Sequence, residues 1–210
     1  QYAHGNEPSH HMAYLYNFVN KPAKTQEKVY QILTELYKND PDGVSGNEDC
    51  GQMSAWYVLS SLGFYPVTPG ANQYIIGSPL FEKATINLEN KKQFTIQAEN
   101  ISDSAIYIEK AFLNDIALNR TFITHNEIIA GGILKFYMTD APTNWGTQEG
   151  QEPKTEIKEH LIIPTPFIAE GEIAFKNDTQ VSLANSIKET TIYYSIDSEE
   201  FKIYENPINI

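Results

Sequence analysis

Between Gln52 and Leu62 the chain places Met53, Ala55, Trp56, Tyr57, Val58, Leu59 and Leu62 on nearly every side of a helical wheel, and Gly63 follows as a left-handed stop. A helix apolar nearly all round has to be buried inside something larger than itself. Two amphipathic helices are expected before it. After Ser9, which can cap a helix, Met12, Leu15, Tyr16 and Val19 recur at the i, i+3, i+4, i+7 spacing of one apolar stripe. A second stripe runs through Val29, Ile32, Leu33 and Leu36, entered by Pro22 and closed by the turn-rich Asn39-Asp40-Pro41-Asp42-Gly43. Three helices, one of them buried on all sides, cannot enclose their own core. Further helices are therefore expected upstream of Gln1.

From Phe64 the period changes from helical to two. Tyr74-Ile75-Ile76, Ala84-Thr85-Ile86-Asn87-Leu88, Phe94-Thr95-Ile96-Gln97-Ala98, Ala105-Ile106-Tyr107-Ile108 and Leu134-Lys135-Phe136-Tyr137-Met138 read as short strands separated by Asn, Gly, Ser and Asp turns. They predict an antiparallel sandwich or jelly-roll-like layer. Thr147 to Lys154 has linker composition, and Ile173-Ala174-Phe175, Val181-Ser182-Leu183 and Thr191 to Ser195 then read as a second set of strands. The fold class is α+β, with boundaries at 1–66, 67–150 and 151–210.

Composition narrows the partners. Lys plus Arg number 15 against 27 Asp plus Glu, a formal charge of −12 with no basic run, so a phosphate backbone would be repelled and nucleic acid is not an expected ligand. Cys50 is the only cysteine, which rules out an internal disulfide and multi-thiolate zinc sites. No run approaches the roughly 18 apolar residues of a bilayer span, and the first residues lack the blocks of a signal peptide. The start and the finish both read as cuts in a longer chain.

Two acidic clusters stand at helix entrances: Gly5-Asn6-Glu7-Pro8-Ser9-His10-His11 and Gly46-Asn47-Glu48-Asp49-Cys50-Gly51-Gln52. Carboxylates there are favoured by unpaired N–H groups and the positive helix end, and Asp49 with Gln52 has capping-box spacing, so structure alone accounts for their positions. Chemistry accounts for them as well. Asn6 and Glu7 are hard oxygen ligands that suit calcium, and Glu48 with Asp49 could supply a general base. Inverting glycoside hydrolysis needs an acid and a base roughly 6.5–9.5 Å apart, with water beside the base. Tyr14, Tyr16, Trp56 and Tyr57 are either sugar platforms or, at these helical positions, core.

The words His4-Gly5-Asn6-Glu7-Pro8-Ser9-His10-His11, Pro41 through Tyr57, Leu62-Gly63-Phe64-Tyr65-Pro66-Val67, Ile76-Gly77-Ser78-Pro79-Leu80-Phe81, Gly131-Gly132 and Asn144-Trp145-Gly146 resemble, in order, the C-terminal half of the catalytic region of glycoside hydrolase family 92. The resemblance implies an (α/α)6 barrel packed on a β-sandwich, and an inverting, calcium-dependent exo-α-mannosidase acting on mannose-containing glycans, with α-1,2 linkages expected. By position, Asn6 and Glu7 are expected as metal ligands and His4 and His10 as substrate contacts. Asp49 is expected as the base with Glu48 beside it. The family usually shows two adjacent aspartates there, so Glu48 is a departure.

The family's general acid lies in Glu-Gly-Asn and Trp-Gln-Tyr words that this chain does not contain, so the segment alone is expected to be inactive without the rest of the catalytic domain. Residues 163–197 resemble the immunoglobulin-like module that ends chitobiases. The resemblance also implies a periplasmic or extracellular bacterial location. The competing reading is a noncatalytic carbohydrate-binding or scaffold protein built from the same β modules.

Overall fold

The structure, a computed structural model, describes residues 2–154, 163–187, 189–197 and 200–210. It is mixed α+β and divides into two compact units, Gln1–Lys154 and Thr155–Ile210.

The first unit opens with a 3₁₀ turn, Glu7–Ser9, and a 3₁₀ helix, Met12–Val19. Helix α1 spans Pro22–Glu35 with Pro22 in its first turn, and α2 spans Gln52–Ser61. The 3₁₀ form reverses the expected stripe. With three residues per turn the segment turns Ala13, Tyr14 and Asn17 inward, while Met12, Leu15, Tyr16 and Val19 are 37–61% exposed. Asn17 explains the choice of face, because its buried amide donates to the Ile76 and Thr121 carbonyls at 2.8 and 3.3 Å. A buried side chain that satisfies two backbone carbonyls outweighs the apolar pattern around it.

Strands β1 (Phe64–Tyr65), β2 (Tyr74–Ile76) and β7 (Phe122–Ile123) form a small antiparallel sheet, with β2 in the middle. It partitions two cores. Because alternate residues face opposite sides, the Phe64–Ile76 pair joins one core and the Tyr65–Ile75 pair the other. On the helical side lie Tyr14, Val29, Ile32, Leu33 and Trp56. On the other lies the main sheet: β3 (Lys83–Asn87), β4 (Gln93–Glu99), β8 (Gly132–Thr139), β5 (Tyr107–Leu113) and β6 (Ile116–Ala117), in that spatial order. Phe94, Ile96, Ala98, Leu134, Phe136 and Met138 alternate inward along β4 and β8. Burying each of the large ones contributes about 1.5–3 kcal/mol. A short helix, α3 (His125–Ala130), precedes β8.

The sheet is mixed and not antiparallel throughout. β4 and β8 run parallel, Phe94 opposite Gly132 through Glu99 opposite Tyr137, while β5 and β8 are antiparallel. β8 lies between β4 and β5, which run in opposite directions, and a strand in that slot must be parallel to one of them. Alternation along a strand carries no information about direction.

In the second unit, β9 (Phe167–Glu170), β10 (Gln180–Ala184) and β13 (Ile208–Asn209) form an antiparallel sheet with β10 central, and β11 (Tyr193–Tyr194) pairs with β12 (Lys202–Ile203). The expected strand Ile173-Ala174-Phe175 is irregular, and Ile173 is fully exposed. Among the described residues it pairs with no strand, so the apolar triplet has no ladder to join.

Candidate active site

The two acidic clusters meet through glycine. A Cβ on Gly5 would stand 2.1 Å from the Ser45 carbonyl oxygen, and a Cβ on Gly46 would stand 2.9 Å from the Gly5 Cα. Gly46 also has φ +115°, a conformation open to glycine alone at low cost. The backbones just before Asn6-Glu7 and Asn47-Glu48-Asp49 therefore touch. Asn6 and Asp49 are exposed and Glu7 is half-buried.

The carboxylates at the second entrance do different work. Glu48 Oε1 accepts the Ser54 backbone N–H at 3.1 Å, so Glu48 caps α2 across Gly51. Asp49 does not form the expected capping box; its carbonyl accepts from Gln52 N–H at 3.2 Å, and its carboxylate has no hydrogen-bond or ion-pair partner among the described residues. Asp49, Cys50 and Gly51 have φ of +45°, +57° and +91°, three successive left-handed residues. Such backbone costs on the order of 1–3 kcal/mol at a non-glycine and concentrates at functional sites.

At the first entrance, Asn6 precedes the 3₁₀ turn with extended backbone and no side-chain cap. Glu7 has one buried carboxylate oxygen, Oε1, without a hydrogen-bond partner among the described residues. A buried anionic oxygen left unpaired is costly, and a hard cation would satisfy it. Glu7 and the adjacent Asn6 thus fit a calcium ion in donor type. Among the described residues no group of three or more His, Cys, Asp and Glu is arranged to hold a metal ion, so the remaining oxygens would come from elsewhere.

His4 and His10 are both about 3% exposed. His10 Nε2 donates to the His4 carbonyl at 2.9 Å, while its Nδ1 faces Gln52 Nε2 at 3.2 Å; Gln52 Nε2 also donates to the Tyr65 hydroxyl at 2.9 Å. His4 sits between two phenols, Tyr2 at Nδ1 and Tyr37 at Nε2, each at 2.6 Å. Burial, followed by the charge of His10, pulls its pKa down to about 4. Trp56 Nε1 donates to the His10 carbonyl at 3.0 Å, and its ring meets His4 edge-on with centroids 4.5 Å apart. Trp56 and Tyr14 are fully buried, which makes them core; Tyr57 is half-buried and Tyr16 is exposed. Tyr37 was not singled out by sequence reasoning; its signal is an aromatic one residue beyond the second helical stripe. Gln52 was read as a capping partner of Asp49, and the structure instead directs its amide to His10 and Tyr65.

The family model described as the glycosyl hydrolase family 92 catalytic domain matches residues 1–140. The chain belongs to glycosyl hydrolase family 92. A family 92 α-mannosidase of Bacteroides thetaiotaomicron, solved with mannoimidazole, superposes with a TM-score of 0.72 at 40% identity, covering 73% of this chain and 20% of that one. An inverting mannosidase of the same family and organism gives 0.69 at 44%, covering 72% and 21%. An uncharacterized secreted glycosidase of Arthroderma benhamiae is 30% identical over 152 residues, 71% of this chain and 20% of its own length. The chain thus spans about a fifth of these relatives. Among the described residues no helix is long and apolar enough to cross a membrane.

Proposed function

We propose that this chain is the base-bearing part of an inverting exo-α-mannosidase, which removes terminal mannose, α-1,2-linked in the first instance, from glycans outside the cytoplasm. The observation that carries the reading is the Gly5–Gly46 contact, which brings to neighbouring loops a buried Glu7 oxygen and an Asp49 carboxylate that have no partner among the described residues. In the proposed reaction Asp49 takes a proton from the attacking water. Glu48 keeps the loop in place by capping α2. Asn6 and Glu7 would hold calcium, which when bound would grip sugar hydroxyls and favour a flattened, oxocarbenium-like ring. His4 and His10 border the sugar site. The general acid and the remaining barrel helices come from upstream sequence, so the isolated chain is inactive. Residues 151–210 serve as an immunoglobulin-like spacer. Export is supported by the name of the Arthroderma relative.

The full-length enzyme carrying this segment is expected to release mannose from α-mannosides as the β-anomer, seen by proton NMR within the first minutes. Chelation abolishes release and added calcium restores it. Retention of the α-anomer, or activity indifferent to chelator, contradicts the proposal.

A further inference from the structure

Tyr37 lies outside the residues given roles above, yet both ends of the carboxylate segment meet on it. Its backbone pairs with Val44 in an isolated antiparallel bridge that closes the 38–43 turn, where Lys38 N–H donates to the Gly43 carbonyl at 2.8 Å. Two residues beyond Val44, Gly46 rests on Gly5. The Tyr37 hydroxyl donates to the Met53 carbonyl, in the first turn of α2, at 3.0 Å. Asn47, Glu48 and Asp49 are therefore bracketed between two attachments to one side chain and its backbone. With its hydrogen committed to Met53, the phenol oxygen accepts from His4 Nε2, two residues before Asn6. His4 Nδ1 in turn accepts from Tyr2. The Tyr37 ring lies parallel to the Trp56 indole, 2° between planes and 6.1 Å between centroids, and packs against Tyr57 at 4.8 Å. Packing fixes the ring; the oxygen adds a hydrogen-bonded link between the two acidic loops to the Gly5–Gly46 contact and the Gln52–His10 pair.

We infer that Tyr37 is a positioning residue for the reaction read above, on which the inference rests: its hydroxyl, held between His4 and the Met53 carbonyl, sets where Asp49 stands relative to Asn6 and Glu7. Tyr37→Phe removes the oxygen and leaves the ring. In the full-length enzyme, assayed with an aryl α-mannoside, it is expected to lower kcat about tenfold or more with KM unchanged within about twofold. The same substitution in the Asp49→Asn background is expected to change the residual kcat by less than about twofold, because the penalty acts through Asp49. A general loosening of the fold would lower both backgrounds alike. Wild-type kcat in Tyr37→Phe, or an equal fall in both backgrounds, overturns the inference while the mannosidase reading stands. An unsubstituted enzyme that releases no mannose overturns both.

Discussion

Gly46 is where a single methyl group tests the site. With φ +115° and the Gly5 backbone in the way, Gly46→Ala is expected to cost about 1–3 kcal/mol of stability, read as a lower denaturation midpoint at unchanged slope. Glu48→Ala should cost about 1 kcal/mol as a lost helix cap. The residue types at both entrances were legible in the sequence, although helix capping and the helix dipole account for carboxylates there as readily as catalysis does. Which carboxylate caps and which stays free was not. Asp49 has the shorter reach and the capping-box spacing, yet three successive left-handed residues swing the cap to Glu48. The burial of His4 and His10 was equally hidden, since it depends on Trp56, Tyr37 and Tyr65 arriving from other parts of the chain.

Helix α3 shows an element that local signals specify and the strand pattern masks. Thr124-His125-Asn126-Glu127 is a complete capping box, with the Thr124 hydroxyl accepting from Glu127 N–H and the Glu127 carboxylate accepting from Thr124 N–H. Six residues between strands escape a helical period search. Burial raises the Glu127 carboxyl pKa, but the Thr124 N–H, the Arg120 guanidinium at 2.5 Å and the Thr124 hydroxyl together hold it below its ordinary value. A depressed folded pKa contributes stability above the unfolded carboxyl value, about 4.3, and loses it as pH falls through the folded one. Acid titration of unfolding should therefore show a loss below about pH 4.3 that Glu127→Gln diminishes; an unchanged slope contradicts the assignment. The strands β2, β3, β4 and β8 were legible from alternation alone. The parallel β4–β8 pairing was not, because it is decided by which slot β8 enters.

For the whole molecule, the period change at Phe64 marks the transition from helices to sheets, and the linker composition ending at Lys154 coincides with the border between the two units. The stripe of Met12, Leu15, Tyr16 and Val19 faces outward, with Met12 and Tyr16 lining a cavity of about 510 Å³ beside Ile32 and Leu36. On the proposed reading, upstream barrel helices would pack against this face. Co-expression of the two pieces is expected to restore mannosidase activity that neither has alone, and Tyr16→Lys with Val19→Lys to abolish the restoration. The most direct test of the account is the pair Asp49→Asn and Glu48→Gln in the full-length enzyme. Asparagine tolerates the left-handed backbone, so Asp49→Asn changes the chemistry and little else. It is predicted to lower kcat by about 10²–10⁴-fold with KM changed no more than a few-fold, while Glu48→Gln stays within about tenfold of wild type. An active Asp49→Asn enzyme, or one in which Glu48→Gln is the dead variant, contradicts it.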